Sequence, residues 1–523
     1  MDGQILDNLI FQMPDGYSFG ELESELAPIH TFERERPFLE PLTLLDTFDW
    51  RLFDESLALY LCGNKLSLHL LPDDDILSTL TTVIQPVFVE DLPESNLKRQ
   101  LAPVVEMRAL LKRAEVQRKT CSYRILNMDD KTVVRIIHEE VCFPAGNDQR
   151  PSVVHLRIKP VRGYPKHFRD LANHFAESGC EYIAEGDIYL QILGAAGAKP
   201  GDYSSKLEIK LEPDMRSDEA VEIVLRFLLE VMKKNEPGIQ TDIDTEFLHD
   251  YRVAVRRTRS ALTQLKHVFP PEKTERYKND FASLGETTNQ LRDLDVYLLK
   301  EEAYKSMLPV VLREDIAPMF AYLREKRSKS LMDVVNTLGS VEYGRVKNDW
   351  EVFLNEPDVE NRAAPYAGQS IIDLAQERIY KRYRSVIRDG RIALQDPQEK
   401  QLHLLRIECK KLRYLIEFFA DLFPRKKIDM VLKQLRKLQD NLGDFNDFCI
   451  QEQYLLEVSE ELPVNEAQSR KTILAIGSLV GALDNEKQSA QASFSKTFTE
   501  FSCPENRKLF RNLFAQKERE ASL

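Results

Sequence analysis

No stretch of the 523 residues approaches the ~18 uninterrupted apolar residues of a membrane span, so no membrane partner is expected. The opening MDGQILDNLIF carries acidic residues where a secretory leader needs a positive segment and a longer apolar run, and a cytoplasmic location is the expectation. The seven cysteines, at positions 62, 121, 142, 180, 409, 449 and 503, are scattered, odd in number and never spaced as CxxC. That usage suits reduced thiols and argues against disulfides and against a zinc site. An overall cationic surface is missing too: 72 Lys and Arg stand against 85 Asp and Glu, a formal charge of −13. Long-range attraction of a polyanion to the whole surface is thereby disfavoured. Such a ligand would need cations concentrated in one place.

The length predicts two domains. Residues 1–205 read as mixed α/β, with β-branched runs KTVVRII and SVVHLRI, turn signals MPDG and PAGND, and a helix in HFRDLANHFAE. GAAGAKPGDYSS then reads as a loop, and 206–216 as a linker. From 217 to 515 the pattern is amphipathic and helical, opening where Ser217 is expected to cap and where Asp218 and Glu219 suit the positive helix end.

That half contains a repeat. His249, Arg252, Arg256, Arg257 and Arg259 recur, displaced by about 150 residues, as His403, Arg406, Lys410, Lys411 and Arg413, both copies reading H-x-x-R-[VI]-x-x-[RK]-[RK]-x-R. Leu-Arg-Asp293-Leu-Asp295 recurs at nearly the same displacement as Leu-Gly-Asp444-Phe-Asn446. The two units are expected at 217–345 and 365–510. At ~100° per residue, positions 0, +3, +7 and +10 share an arc of roughly 80°. The His and three cations of each copy therefore form one stripe. Ala254, Thr258, Ala261, Leu262, Leu265 and Phe269 lie opposite in the first copy, and Leu405, Leu412, Leu415, Ile416 and Phe419 in the second, which predicts that each helix packs by one face and offers cations on the other.

Like charges three and four apart on a helix repel by a few tenths of a kcal/mol per pair. A dense stripe repeated twice points to a bound polyanion, because Arg grips two oxygens at once, Lys acts as a movable point charge and a protonated His offers two donors. The alternative is a solvated face or internal ion pairs, and for the two histidines a structural hydrogen bond stands beside ligand contact. Further cations, Arg378, Lys381, Arg382, Arg384 and Arg388, precede the second copy, Lys433, Arg436 and Lys437 follow it, and Arg324, Arg327 and Lys329 form a smaller group. Asp293, Asp295, Asp444 and Asn446 are read as helix caps or partners that orient Arg, and no metal or other cofactor is expected.

HDYRVAVRRTRSAL, TNQLRDLDVYLL, LHLLRIECKKLRYLIEFF and LQDNLGDFND resemble the four signature stretches of CHAD domains, the conserved histidine α-helical domain family. The resemblance implies an all-α domain of two pseudo-symmetric four-helix bundles whose basic helices line a channel or groove that binds inorganic polyphosphate. Carried over by position, the ligand-facing residues would be His249, Arg252, Arg256 and Arg259 with His403, Arg406, Lys410 and Arg413. Arg257 and Lys411 belong to the same motif, and Arg378, Lys381 and Arg382 match the basic helix before its second copy. The resemblance also implies association with polyphosphate granules.

LLDTFDWRLFDESLALYL and HLRIKPVRGYPKHFRDLANHF resemble parts of a CYTH domain, a triphosphate-tunnel β-barrel that often precedes CHAD. The fold class expected is thus multidomain α+β, a CYTH-like β-barrel with helices followed by the all-α domain. Active members open with E-x-E-x-K, whose carboxylates hold a divalent metal. Aligned on Phe11 and Pro14, the corresponding positions here are Leu6, Asn8 and Ile10. Glu33, Glu35 and Arg36 fall too close to Asp46 and Thr47 to serve instead. Three function classes follow: a polyphosphate-binding protein without catalysis, a metal-dependent CYTH-type triphosphatase with CHAD as substrate-binding domain, and a nucleic-acid-binding protein. The last is disfavoured because only Tyr414 offers a stacking surface near the stripe, Phe247 and Tyr251 falling on the packing face.

Overall fold

The computed structural model describes residues 8–14, 16–72, 75–82, 85–143, 153–355, 363–462 and 467–515. Leu6 and the turn expected at 144–148 lie outside them. The chain divides into two compact units, Met1–Ser204 and Ser205–Leu523.

The first unit is an antiparallel sheet with helices. Its strands are β1 (Leu9–Met13), β2 (Thr31–Arg34), β3 (Phe38–Asp46), β4 (Leu57–Cys62), β5 (Lys65–Leu70), β6 (Asp75–Thr81), β7 (Leu111–Leu126), β8 (Thr132–Cys142), β9 (Val153–Pro160) and β10 (Glu181–Ile183). They run in the order β10-β1-β9-β8-β7-β3-β4-β5-β6, with β2 on β7. The longest hairpin, β7 with β8, closes on Asn127, whose side-chain oxygen accepts from Asp129 N (3.0 Å) and Lys131 N (2.9 Å), an Asx turn that reverses the chain. Both expected runs are strands, β8 and β9.

Helix α1 (Phe19–Leu26) opens on a Ser18 and Glu21 capping box. Helices α2 (Arg51–Asp54), α3 (Asn96–Val105), α4 (Pro165–Glu177) and α5 (Glu185–Ala195) complete the unit. The expected helix is α4: Phe168, Leu171, Ala172 and Phe175, at i, i+3, i+4 and i+7, are its buried face. Side chains from β3, β4, β5, β7, β8 and β9 line one cavity together with Ile188 and Ile192 of α5, so the sheet curls around it.

The second unit is helical. It comprises α6 (Ser217–Gln240), α7 (Thr245–Gln264), α8 (Pro271–Thr287), α9 (Asn289–Leu299), α10 (Glu301–Met307), α11 (Ala317–Leu338) and α12 (Val341–Asn355). After these come α13 (Ile371–Gln395), α14 (Glu399–Phe418), α15 (Arg425–Glu461), α16 (Ala467–Phe501) and α17 (Pro504–Phe514). Each histidine-led helix packs on the helix before it, α7 on α6 and α14 on α13. The starts of α6 and α13 hold each other reciprocally: Ser217 N donates to Gln369 O (2.9 Å) and Ile371 N to Met215 O (2.9 Å). Ser217 does not cap. It is the first helical residue, Arg216 occupies the cap position, and the Ser217 hydroxyl donates to Gln369 O (2.8 Å).

The expected packing faces are in place. Ala254, Thr258, Ala261, Leu262, Leu265 and Phe269 are buried in the first copy, as are Leu405, Leu412, Leu415, Ile416 and Phe419 in the second. Two glycines allow the closest approaches. A Cβ on Gly238 would sit 2.2 Å from the Phe247 ring, and one on Gly390 would sit 1.9 Å from the Phe498 ring, so neither helix could approach its neighbour this closely with a larger residue.

Candidate functional site

Helix α7 starts where the Asp244 carboxylate accepts from Glu246 N (2.9 Å) and Phe247 N (3.3 Å). From there its stripe descends one side. His249, Arg252 and Arg256 line a cavity with Arg292, Asp293, Val296, Tyr297 and Lys300 of α9 and its end, and with Asp447, Ile450 and Gln451 of α15. Arg256 also lines the next cavity, where Arg259, Ser260, Thr263 and Gln264 of α7 face Ile407, Lys410, Lys411 and Tyr414 of α14. The two histidine-led helices meet there, the Gln264 side-chain amide donating to Lys411 O (3.0 Å). Arg256 thus joins two cavities into one row that uses both copies of the repeat.

The cations along this row differ in how far the protein already satisfies them. Arg252 Nη1 donates to Gly285 O (3.1 Å) and Thr288 Oγ1 (2.7 Å), and Nη2 to Asn289 Oδ1 (2.8 Å). These are neutral acceptors, so the side chain is held in place without a hydrogen bond to a carboxylate, and Asp293 nearby offsets its charge only in part. Burial, and then Arg256, push its guanidinium down to about 10. Arg406 Nη2 pairs with Asp447 Oδ1 (3.1 Å). Among the described residues no carboxylate lies within ion-pair distance of Arg256, Arg259 or Lys410, and Arg256 Nε is buried without a partner. Burial, followed by Arg406, Arg256 and Arg413, pushes the Lys410 ammonium down to about 8. Cations crowded in this way have not found their counterion within the fold.

Four other residues of the expected set already have carboxylate partners, two cations to each carboxylate. Arg257 Nη2 donates to Glu417 Oε2 (2.8 Å), Arg413 Nε to Glu417 Oε1 (2.6 Å), and Lys411 Nζ to Glu408 Oε1 (2.9 Å). Arg382 pairs with the other oxygen of Glu408. Burial pushes the Glu408 carboxyl up, but hydrogen bonds from Lys411 and Arg382 outweigh it and hold it below the usual range. These pairs join helices α7, α13 and α14. Arg378 lies 5.1 Å from the Tyr366 ring centroid and 3.8 Å from Glu377. Lys381 is not in the row: it lines a different groove on the far side of α13. Arg324, Arg327 and Lys329 pair with Glu301, with Asp242 and Asp295, and with Glu325.

His403 Nδ1 donates to Asn446 Oδ1 (2.6 Å), which favours the structural role weighed for this histidine. The acidic motif residues are not caps. Asp293 and Asp295 lie within α9, and Asp444 and Asn446 within α15, because the helices continue through them. Asp295 orients Arg327 (2.7 Å), and Asp293 lines the cavity beside Arg252, its carboxyl raised by burial. Sequence reasoning singled out neither Arg292, Lys300 nor Asp447, although Arg292 directly precedes the repeated Asp293 and Asp447 stands one residue beyond Asn446.

In the first unit, Ile10, which stands at an expected E-x-E-x-K position, is 2% exposed. The cavity that the sheet surrounds contains cations, but they are matched: Arg118 Nε to Glu40 (3.0 Å) and Arg157 to Glu139 (3.6 Å). His155 Nε2 meets Gln191 Oε1 at 2.9 Å, and burial pushes the Cys62 thiol up to about 11. Among the described residues no three His, Cys, Asp or Glu side chains are grouped so as to hold a metal ion, and no helix is long and apolar enough to cross a membrane.

Residues 223–456 match the family model of the CHAD domain. An uncharacterized protein of Mycobacterium tuberculosis is 22% identical over 294 residues, 55% of this chain and 53% of that protein. The chain spans about half the length of the curated relatives it matches. Among solved structures, the CHAD domain from the plant Ricinus communis aligns with 60% of this chain and 97% of its own at 22% identity and a TM-score of 0.44. A Hippeastrum protein described as revealing a dominant triphosphatase activity aligns with 38% of this chain and 99% of its own at 14% identity and a TM-score of 0.26.

Proposed function

We propose, from the premise that residues 223–456 are a CHAD domain, that this domain binds inorganic polyphosphate along the row from Arg252 through Arg256 to Arg259 and Lys410, without cleaving it. One observation carries the reading: three cations from two facing helices stand together with no carboxylate partner among the described residues. A phosphate chain supplies what they lack, repeated anionic oxygens spaced along a line, each able to accept charge-assisted hydrogen bonds. Arg252, already fixed by three neutral acceptors, would present its charge without further loss of side-chain freedom. Such a protein would gather where polyphosphate is stored in granules. Nothing in the row reads a base: Tyr297 and Tyr414 line the cavities singly, whereas strand-binding surfaces stack successive bases on several aromatics.

Competition discriminates polyphosphate from nucleic acid. With fluorescent long-chain polyphosphate bound to the full chain at fixed salt, unlabelled polyphosphate is expected to displace it, and single-stranded RNA at an equal phosphate concentration is not. Equal displacement by RNA would make the site a general polyanion binder and sink the polyphosphate assignment.

A further inference from the structure

Helix α13 carries a second cationic stripe that the repeat does not contain. Lys381, Arg384, Arg388 and Arg391 follow the same 0, +3, +7, +10 spacing as the histidine stripe and share an arc of roughly 80°. The matching positions of α6 are Phe227, Glu230, Lys234 and Pro237, so this stripe belongs to one half only. It faces away from the row described above. Arg382, on the other side of α13, reaches Glu408 and Gln264, whereas the stripe lines a groove of about 1320 Å3 against α17.

Helix α17 completes the groove with Arg507, Lys508 and Arg511. It is anchored where the Tyr383 ring stacks on Phe510 with centroids 3.9 Å apart at 8°, and where the Gln376 side-chain amide donates to Leu513 O (3.2 Å). Of these seven cations only Arg388 has a carboxylate partner, Asp389 at 2.8 Å, among the described residues. Arg507 Nε donates to Ser502 O (2.7 Å). One carboxylate, Glu377, lines the groove. Tyr383 is 5% exposed and its hydroxyl is buried without a hydrogen-bond partner. Burial raises that hydroxyl to about 12 while Arg507 and Arg391 pull it back, which places it among the cations. Six cations without a carboxylate partner among the described residues, brought by two helices to one groove, point to an anionic ligand.

We propose that the groove between α13 and α17 is a second binding site for the same phosphate polymer, gripping a separate stretch of a long chain. The assignment rests on the polyphosphate reading of the inner row. The stripe runs ten residues, ~15 Å along the helix axis, far longer than a single phosphate needs. Two grips on one polymer make the second contact intramolecular and strengthen binding of long chains alone.

The test uses the full chain carrying Arg384→Gln, Arg391→Gln, Lys508→Gln and Arg511→Gln, all exposed positions, with circular dichroism as the check on folding. Affinity for long-chain polyphosphate is expected to fall at least about tenfold, and the slope of log affinity against log salt to flatten by about 3, four lost contacts at ~0.7 counterion each. Tripolyphosphate, too short to span both grips, is expected to bind as before. Unchanged long-chain affinity and slope would overturn the proposal, and so would loss of RNA binding with polyphosphate binding intact, which would make the groove a nucleic-acid site. Failure of the inner-row reading looks different: Arg256→Ala with Lys410→Ala would then bind tripolyphosphate like the native chain, whatever the groove variant does.

Discussion

Replacing Arg256 and Lys410 together by alanine is expected to weaken long-chain polyphosphate binding by at least about a hundredfold while leaving the helical circular dichroism unchanged. Each charge-assisted hydrogen bond to phosphate contributes about 1.5–3 kcal/mol, and about 1.4 kcal/mol is a factor of ten in affinity. A hundredfold is therefore the low end for two residues. Structural collapse is not expected, because neither side chain has an ion-pair partner among the described residues to lose, and removing two mutually repelling cations relieves the unliganded fold. The contrast is Arg257→Ala. It leaves Glu417 with one partner fewer between α7 and α14 and should lower stability more than affinity. Equal affinity of the double variant and the native chain, by fluorescence anisotropy, would remove the row as the site.

Lys410 carries the second large effect, on stability. Its ammonium lies at about 8 in the folded chain against an ordinary value of 10.5, chiefly through burial and then through Arg406 and Arg256. A cation whose folded value is depressed binds its proton more weakly in the native state. Between about pH 8 and 10.5 the unfolded chain holds more protons, so native stability rises with pH through that window. Below about pH 8 the native state bears the whole cost of the buried charge. Lys410→Met removes that cost and is expected to stabilise the free protein at pH 7 by about 1–3 kcal/mol, after allowance for solvent screening. The gain should disappear above pH 10.5. Urea unfolding of both chains at pH 7 and near pH 10.5 measures it, and a Lys410→Met chain less stable than native at pH 7 would show that the ammonium is well accommodated without ligand. The same substitution should weaken polyphosphate binding, so stability and affinity are expected to move in opposite directions at one residue.

Periodicity alone located the stripes and the packing faces, because helical spacing fixes which side chains share an arc. It could not tell which cations the fold keeps for itself. Glu417 falls on the same arc as Arg413 and is visible in the sequence, yet that it also takes Arg257 depends on how α7 lies beside α14. Glu408 sits inside the second motif and pairs with Lys411 within its own helix, but its other partner, Arg382, comes from α13. Lys381 and Arg382 are adjacent in sequence and about 100° apart on a helix, enough to send one to the inner helices and the other to the opposite groove. Asn446 and the repeated aspartates read either as caps or as partners that orient Arg, and a cap would require a helix to begin there. Instead α15 runs unbroken from Arg425 to Glu461, and its length turns Asn446 into a tertiary partner of His403. Arg507, Lys508 and Arg511 gave no signal in the sequence, since three cations in one short helix acquire meaning only beside a second set.

The cations of the inner row await phosphate, and salt tests this most directly. In a titration of the full chain with long-chain polyphosphate, raising monovalent salt from about 50 to about 200 mM should weaken binding at least about fiftyfold if four cations of the inner row each release ~0.7 counterion, and more if the outer groove contributes. An affinity that changes less than about twofold over that range would contradict it.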